Sequence, residues 1–212
     1  MKIKCITFFY LSICSFFLVG CTAAIPEQYT EVKEYPVIYP DYRDITIPYN
    51  IAPLNIAYEM EGDKFVTELK VDGQVLVMRG KQTDWKLKQW STLLESAKGK
   101  TIELNTYVQS GGAWVKYRPI KWRVAVEPID PYISYRIIAP SYVTYEDLSI
   151  RQRELATFDE QMIYNNMLLS TGKDGQCINC HSYKNYKTDN MQFHARQHKG
   201  GTLLVTPNEV KK

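Results

Sequence analysis

Two thiols and an imidazole stand in one short run of this 212-residue chain, Cys177-Ile178-Asn179-Cys180-His181. Two cysteines separated by two residues and followed at once by histidine form the pattern of c-type haem attachment. The chemistry accounts for the spacing. Two thiols add across the two vinyl groups of one haem to give thioethers, and the adjacent imidazole is a standard proximal ligand to iron. Two intervening residues match one helical turn, so the run is expected on a helix. Other chemistries use the same residue types. A redox Cys-x-x-Cys wants a thioredoxin-like βαβ setting, and no such pattern is visible. A structural zinc site wants a second ligand pair, and His194 and His198 have an i, i+4 spacing. A plain disulfide fits an oxidising compartment. One covalent haem c on Cys177 and Cys180, with His181 on the iron, is the reading expected here.

The iron then needs a side chain opposite His181. Met191, His194 and His198 fall within Thr188–His198, where Thr188, Asp189 or Asn190 could cap a short helix. Such a helix puts Met191 and His194 on one face, as i and i+3. A thioether would raise the iron potential relative to a second imidazole. His194 is favoured over Met191, and His198 is expected at the surface before the Gly200-Gly201 turn. Arg196 suits a haem propionate, because a guanidinium matches a carboxylate; a solvated surface charge is its alternative reading. Tyr183 and Tyr186 could line the haem or simply pack in the core.

Haem attachment of this kind takes place outside the cytoplasm, and the first residues speak to that. MKIKCITFFYLSICSFFLVGC places two lysines before an apolar run that is short for a membrane span. That is the order of a secretory signal; a retained N-terminal anchor is the alternative. Leu18-Val19-Gly20-Cys21 resembles a bacterial lipobox, which implies a lipidated Cys21 as first residue of the mature chain. More than one acyl chain on Cys21 would give stable attachment. Thr22 follows the cysteine, so no aspartate argues for inner-membrane retention. An extracytoplasmic protein, lipid-anchored to a bacterial membrane on a periplasmic or surface face, is expected. Residues 22–50, rich in Pro and Tyr, read as an extended tether.

Between the tether and the haem run the pattern is one of short strands. Leu54, Ile56, Tyr58 and Met60 alternate with other residues, as do Ile102, Leu104, Thr106 and Val108, and Ile120, Trp122, Val124 and Val126. Asp72-Gly73 between two apolar runs predicts a hairpin, and Gly111-Gly112 marks another turn. One helix is expected, capped at Asp84, burying Trp90, Leu93, Leu94 and Ala97, and ended by Gly99. Strands at this spacing suggest an immunoglobulin-like β-sandwich, read as a spacer or docking domain in preference to a carbohydrate- or protein-binding module. Further on, Thr157-Phe158-Asp159-Glu160 fits a capping box. A second helix is therefore predicted through Leu169, burying Phe158, Met162, Ile163 and Met167.

Composition adds exclusions. Hydrophobic residues make up 45% and charged residues 23%, the balance of a globular chain. Setting Lys2 and Lys4 aside with the leader leaves 24 basic against 23 acidic residues, so no basic excess argues for nucleic acid. No nucleophile elbow, phosphate loop or readable carboxylate pair is present, and no enzymatic activity is expected.

Several stretches together resemble a group of extracytoplasmic proteins of Bacteroidetes-type bacteria. They are Ile47-Pro48-Tyr49-Asn50-Ile51-Ala52-Pro53-Leu54-Asn55, Ile150-Arg151-Gln152-Arg153-Glu154-Leu155, Cys177 to Ser182, and Met191-Gln192-Phe193-His194-Ala195-Arg196 with Gly200-Gly201-Thr202. Members of that group combine a lipoprotein signal, a β-sandwich, a cytochrome c segment and often a TolB-like β-propeller. The sequence runs little beyond Leu203-Leu204-Val205, about where a propeller would begin, which implies a propeller-less member or a shortened chain. The expected fold class is α+β, an immunoglobulin-like β-sandwich followed by a small, mostly α-helical cytochrome c-type haem domain. The expected divisions are a signal peptide at 1–20, lipidated Cys21 and tether at 21–50, the sandwich at 51–140 and the haem domain at 141–212. The expected function is that of a membrane-anchored monohaem cytochrome passing electrons to or from a partner protein or quinol-oxidising chain. The alternative is a surface-binding or sensor module whose haem is structural or ligand-sensing.

Overall fold

The computed structural model describes residues 24–138, 148–169, 175–197 and 199–212. The leader and Cys21 lie outside these residues, and so does His198. In chain order the strands are β1 (Thr30–Glu31), β2 (Ile38–Tyr39), β3 (Ile45–Ile47), β4 (Ala57–Tyr58), β5 (Lys64–Val71) and β6 (Gln74–Arg79). Helix α1 (Leu87–Ser96) precedes β7 (Thr101–Ser110), β8 (Ala113–Lys116) and β9 (Ile120–Val124). Then follow β10 (Tyr132–Ile137), β11 (Ser149–Glu154), β12 (Glu160–Asn165), β13 (Cys177–Tyr183), β14 (Met191–Arg196), β15 (Gly201–Val205) and β16 (Val210–Lys211).

The first unit is a seven-stranded sheet built around β7. One edge of β7 pairs antiparallel with β5, which carries β6 beyond it. The other edge pairs with β9 at Thr101–Leu104 and with β8 at Tyr107–Ser110. The β5–β6 turn is the one predicted: Asp72 and Gly73 have φ of 44° and 79°, the paired left-handed conformation that Asp-Gly supplies in a two-residue hairpin. Alternation on β9 buries Ile120, Trp122 and Val124 and exposes Lys121 and Arg123. Helix α1 seals the core with Trp90, Leu93 and Leu94, and Trp90 meets Trp122 edge-on at 6.0 Å. Its N-cap is Lys86 without a side-chain bond, not Asp84, whose carboxylate instead pairs with the Lys86 ammonium.

Two expectations about this unit change. Residues 30–47, expected in a free tether, are built into the fold: β1 and β3 pair parallel with β8 and β9, and Ile38 and Ile47 are core residues. The core is closed by α1 and the β2–β4 ribbon against one seven-stranded sheet, where two facing immunoglobulin-type sheets were expected. Tyr58 of β4 is buried and satisfied there by Thr67 at 2.6 Å and Thr106 at 3.0 Å.

The second unit overturns the expected α-helical haem domain. It consists of a three-stranded sheet, β10-β11-β12, and a four-stranded sheet, β13-β14-β15-β16, both antiparallel. Ile150 and Tyr164 from the first meet Ile178, Met191, Phe193 and Ala195 from the second in one core. The helix predicted over 157–169 is replaced by a turn and β12. The Thr157 hydroxyl accepts the Asp159 N–H at 3.0 Å and donates to Glu154, so it forms a local turn instead of capping a helix. Phe158 and Met162, assigned to a buried helical face, are 54% and 57% exposed, while Tyr164 is buried. Strand pairing with β11 won over a local capping signal. β10 pairs with β11 and so belongs to the three-stranded sheet of this second unit. Resemblance-carrying segments meet at the junction: Ala52 donates its N–H to the Leu155 carbonyl at 2.7 Å, and Asn50 exchanges two hydrogen bonds with Ile129.

Candidate haem-attachment site

The Cys177–His181 run lies on β13, a strand and not the helical turn expected. Its neighbour β14 sets the register: Cys177 opposite Arg196, Ile178 opposite Ala195, Asn179 opposite His194, Ser182 opposite Gln192 and Tyr183 opposite Met191. Between Asn179 and Ser182 the register slips, so that Cys180 and His181 together face the single residue Phe193. This is a β-bulge, which leaves an extra residue outside the ladder. Cys180 occupies it with φ of 54°, a left-handed conformation that favours glycine. A cysteine held there is backbone strain of a kind that gathers at functional sites.

The bulge divides the motif between two directions. Ile178 is fully buried in the core. Cys177 stands on the opposite face, half-buried, and Cys180 is exposed; both thiols are free. His181 is half-buried and turned toward β10, its Nε2 3.4 Å from the Ser134 carbonyl oxygen. Tyr183, two residues on, reaches the same residue, its hydroxyl 2.6 Å from the Ser134 hydroxyl. Among the described residues no group of three or more His, Cys, Asp or Glu side chains is arranged to hold a bare metal ion.

The remaining candidates sort by the alternation of β14. Met191, Phe193 and Ala195 point into the core; Gln192, His194 and Arg196 are exposed. Met191 and His194 therefore lie on opposite faces, and the shared helical face expected for them does not exist. Met191 is 7% exposed and packs within the core. His194 shares the outer face with Cys177, and its Nδ1 is 2.8 Å from the Thr202 hydroxyl of β15. Arg196 is exposed directly across from Cys177, with no ion pair among the described residues. Tyr186, at 94% exposure, lines nothing. A groove of about 480 Å³ opens beside the bulge, lined in part by Tyr183, Met191, Leu204 and Val205.

The donor set fits a covalent haem in kind. The exposed Cys180 thiol stands where the ladder is interrupted, the half-buried Cys177 thiol stands in the regular ladder before it, and an imidazole with one long polar contact among the described residues follows directly. Thr202 and Ser134 are partners that sequence reading did not single out. The signal for the strand was present in Met191-Gln192-Phe193-His194-Ala195-Arg196, whose apolar residues recur at period two. Comparison with family models, with curated proteins and with solved structures gave no match.

Proposed function

We propose that this chain is an extracytoplasmic lipoprotein that carries one covalent c-type haem and serves electron transfer. The observation that carries the proposal is the Cys177-Ile178-Asn179-Cys180-His181 run, with both thiols free and a strand irregularity at Cys180 and His181. Cys177 and Cys180 are the thioether donors and His181 the proximal ligand. Bound there, the group supplies a one-electron couple at its iron. The chain's own part is to hold it. Pairing of Ile178 and Tyr183 with β14 fixes both ends of the motif, while the bulge leaves residues 180 and 181 outside the ladder. Arg196 would pair with a propionate, a reading supported by its exposure and by the absence of an ion pair to it among the described residues. Lipidation at Cys21 would set the fold close to the bilayer, since the three residues from Cys21 to Ala24 span at most about 11 Å.

The proposal is tested on protein matured with haem-attachment machinery by recording its visible spectrum during a redox titration. Electron transfer requires a reversible one-electron step, abolished with the attached chromophore in Cys177→Ala/Cys180→Ala. A haem that cannot be cycled sinks the electron-transfer reading. The ligand-sensing alternative has one observation in its favour: Met191 is packed in the core and the His194 ring is engaged by Thr202, so neither is poised over His181. Binding of carbon monoxide or added imidazole to the wild-type haem distinguishes it, because two filled axial positions resist both.

A further inference from the structure

A second site lies in the first unit, on the solvent face of the main sheet where β3, β9 and β7 run side by side. A recess of about 600 Å³ opens there. Its floor is set by register. Thr46, Arg123 and Thr101 form one row across the three strands, and Lys121 stands opposite Glu103 in the next. Arg118 enters from the β8–β9 connection, with its guanidinium carbon 4.5 Å from the centre of the Tyr35 ring. That stacking gives a long cation a fixed position.

The charges are arranged for a ligand. Seven ion pairs occur among the described residues, and none uses Arg118, Lys121 or Arg123. Two carboxylates share the recess. Asp44 is already engaged, accepting the Tyr35 hydroxyl at 3.0 Å and the Lys121 N–H at 3.2 Å. Glu103 makes no ion pair with the lysine directly across from it. Three cations thus face two anions, one of them turned to the protein, with Thr46 and Thr101 adding hydroxyls. Such a set favours an oxyanion small enough to sit among Arg118, Lys121 and Arg123 and clear of Glu103.

We propose that this recess binds a small oxyanion-bearing solute, a multiply charged carboxylate or phosphate, between Arg118 and Arg123 with Lys121 beneath. Guanidinium groups pair with either anion through two parallel hydrogen bonds, so the two ligand sources share one chemistry. The site is independent of the haem motif, which belongs to the other unit.

Calorimetric titration of the mature protein with citrate and, separately, with inorganic phosphate at low ionic strength provides the test. Saturable one-to-one binding of either supports the proposal, and the preferred anion names the source. Arg118→Gln and Arg123→Gln should each weaken that binding about tenfold or more, the effect of losing one charge-assisted bond. Arg136→Gln, in the second unit, should leave affinity unchanged. Tryptophan fluorescence, all from the first unit, verifies that the two recess variants are folded, and amide hydrogen exchange at Ile178 and Ala195 verifies the same for Arg136→Gln. No binding of either anion by folded wild type overturns the proposal. Equal affinity in wild type and the two recess variants overturns it too.

Discussion

Cys180 offers a direct reading of the motif's conformation, through a pair of glycine substitutions in protein prepared without haem. Cys180 has φ of 54°, in the left-handed region. A residue with a Cβ loses roughly 1–2 kcal/mol in that conformation, and glycine does not. Glycine brings its own entropic loss of about 0.5–1 kcal/mol. Cys180→Gly should therefore be neutral or raise stability by up to about 1 kcal/mol. Cys177 is half-buried within the regular β13–β14 ladder, opposite Arg196. Cys177→Gly carries the full entropic loss and forfeits side-chain packing, about 1–2 kcal/mol in all. The two variants should differ by about 1–3 kcal/mol, and Cys180→Ala, which keeps its Cβ, should show no gain. A helical turn at the motif would make both glycines cost similar amounts, about 0.5–1 kcal/mol. The four tryptophans, at positions 85, 90, 114 and 122, all belong to the first unit, so their fluorescence does not report on this one. Amide hydrogen exchange at Ile178 and Ala195, paired across the two strands, reads its opening free energy. Equal loss of protection in Cys177→Gly and Cys180→Gly would refute the bulge.

Three further outcomes follow from the packing and electrostatics. Phe193→Ala removes a ring that is 2% exposed and 4.8 Å from that of Tyr164; it should cost about 3–5 kcal/mol, seen as lost exchange protection along β14. Gly73→Ala meets no atom within 4 Å but must hold φ of +79°, so it should cost about 1–2 kcal/mol from backbone conformation alone, measured by tryptophan-monitored urea unfolding. Burial and then the neighbouring Glu68 carboxylate push the Tyr107 phenol well above its ordinary value, and its hydroxyl lies 3.2 Å from that carboxylate. The unfolded chain ionises first, so this contribution is intact below pH of about 10 and is lost as pH climbs from there toward the raised folded value. Tyr107→Phe should make the alkaline decline shallower, and at neutral pH should cost about 1–3 kcal/mol for the buried carboxylate left without its donor.

How far the sequence could be read depended on which signal each segment carried. Where period-two burial and turn chemistry agreed, as at β5–Asp72-Gly73–β6 and at Ile120–Val124, the elements lie where expected. Trp90, Leu93 and Leu94 are likewise buried on α1 and Ala97 at its C-cap, although the cap at Asp84 did not form. Local capping patterns misled in the second unit. Thr157-Phe158-Asp159-Glu160 is chemically able to start a helix, but its Thr157 hydroxyl serves a turn and the residues from Glu160 form β12, paired with β11. The expected helix at 188–198 failed for a related reason: caps were weighed before the alternation of Met191 to Arg196. Pairing partners distant in sequence, such as β3 with β9 or Ser134 with Tyr183, leave no local mark. Candidate thiols and imidazoles could be picked by type and spacing alone, whereas their faces depended on the bulge at Cys180, which no residue pattern announced.

The central claim is that Cys177 and Cys180 carry a haem. Intact-mass measurement of the full mature protein, produced alongside haem-attachment machinery, tests it most directly. The claim predicts a mass increase of one haem that survives denaturation and disappears in Cys177→Ala/Cys180→Ala. An unchanged mass in wild type, from cells that attach haem to a control cytochrome, would contradict it.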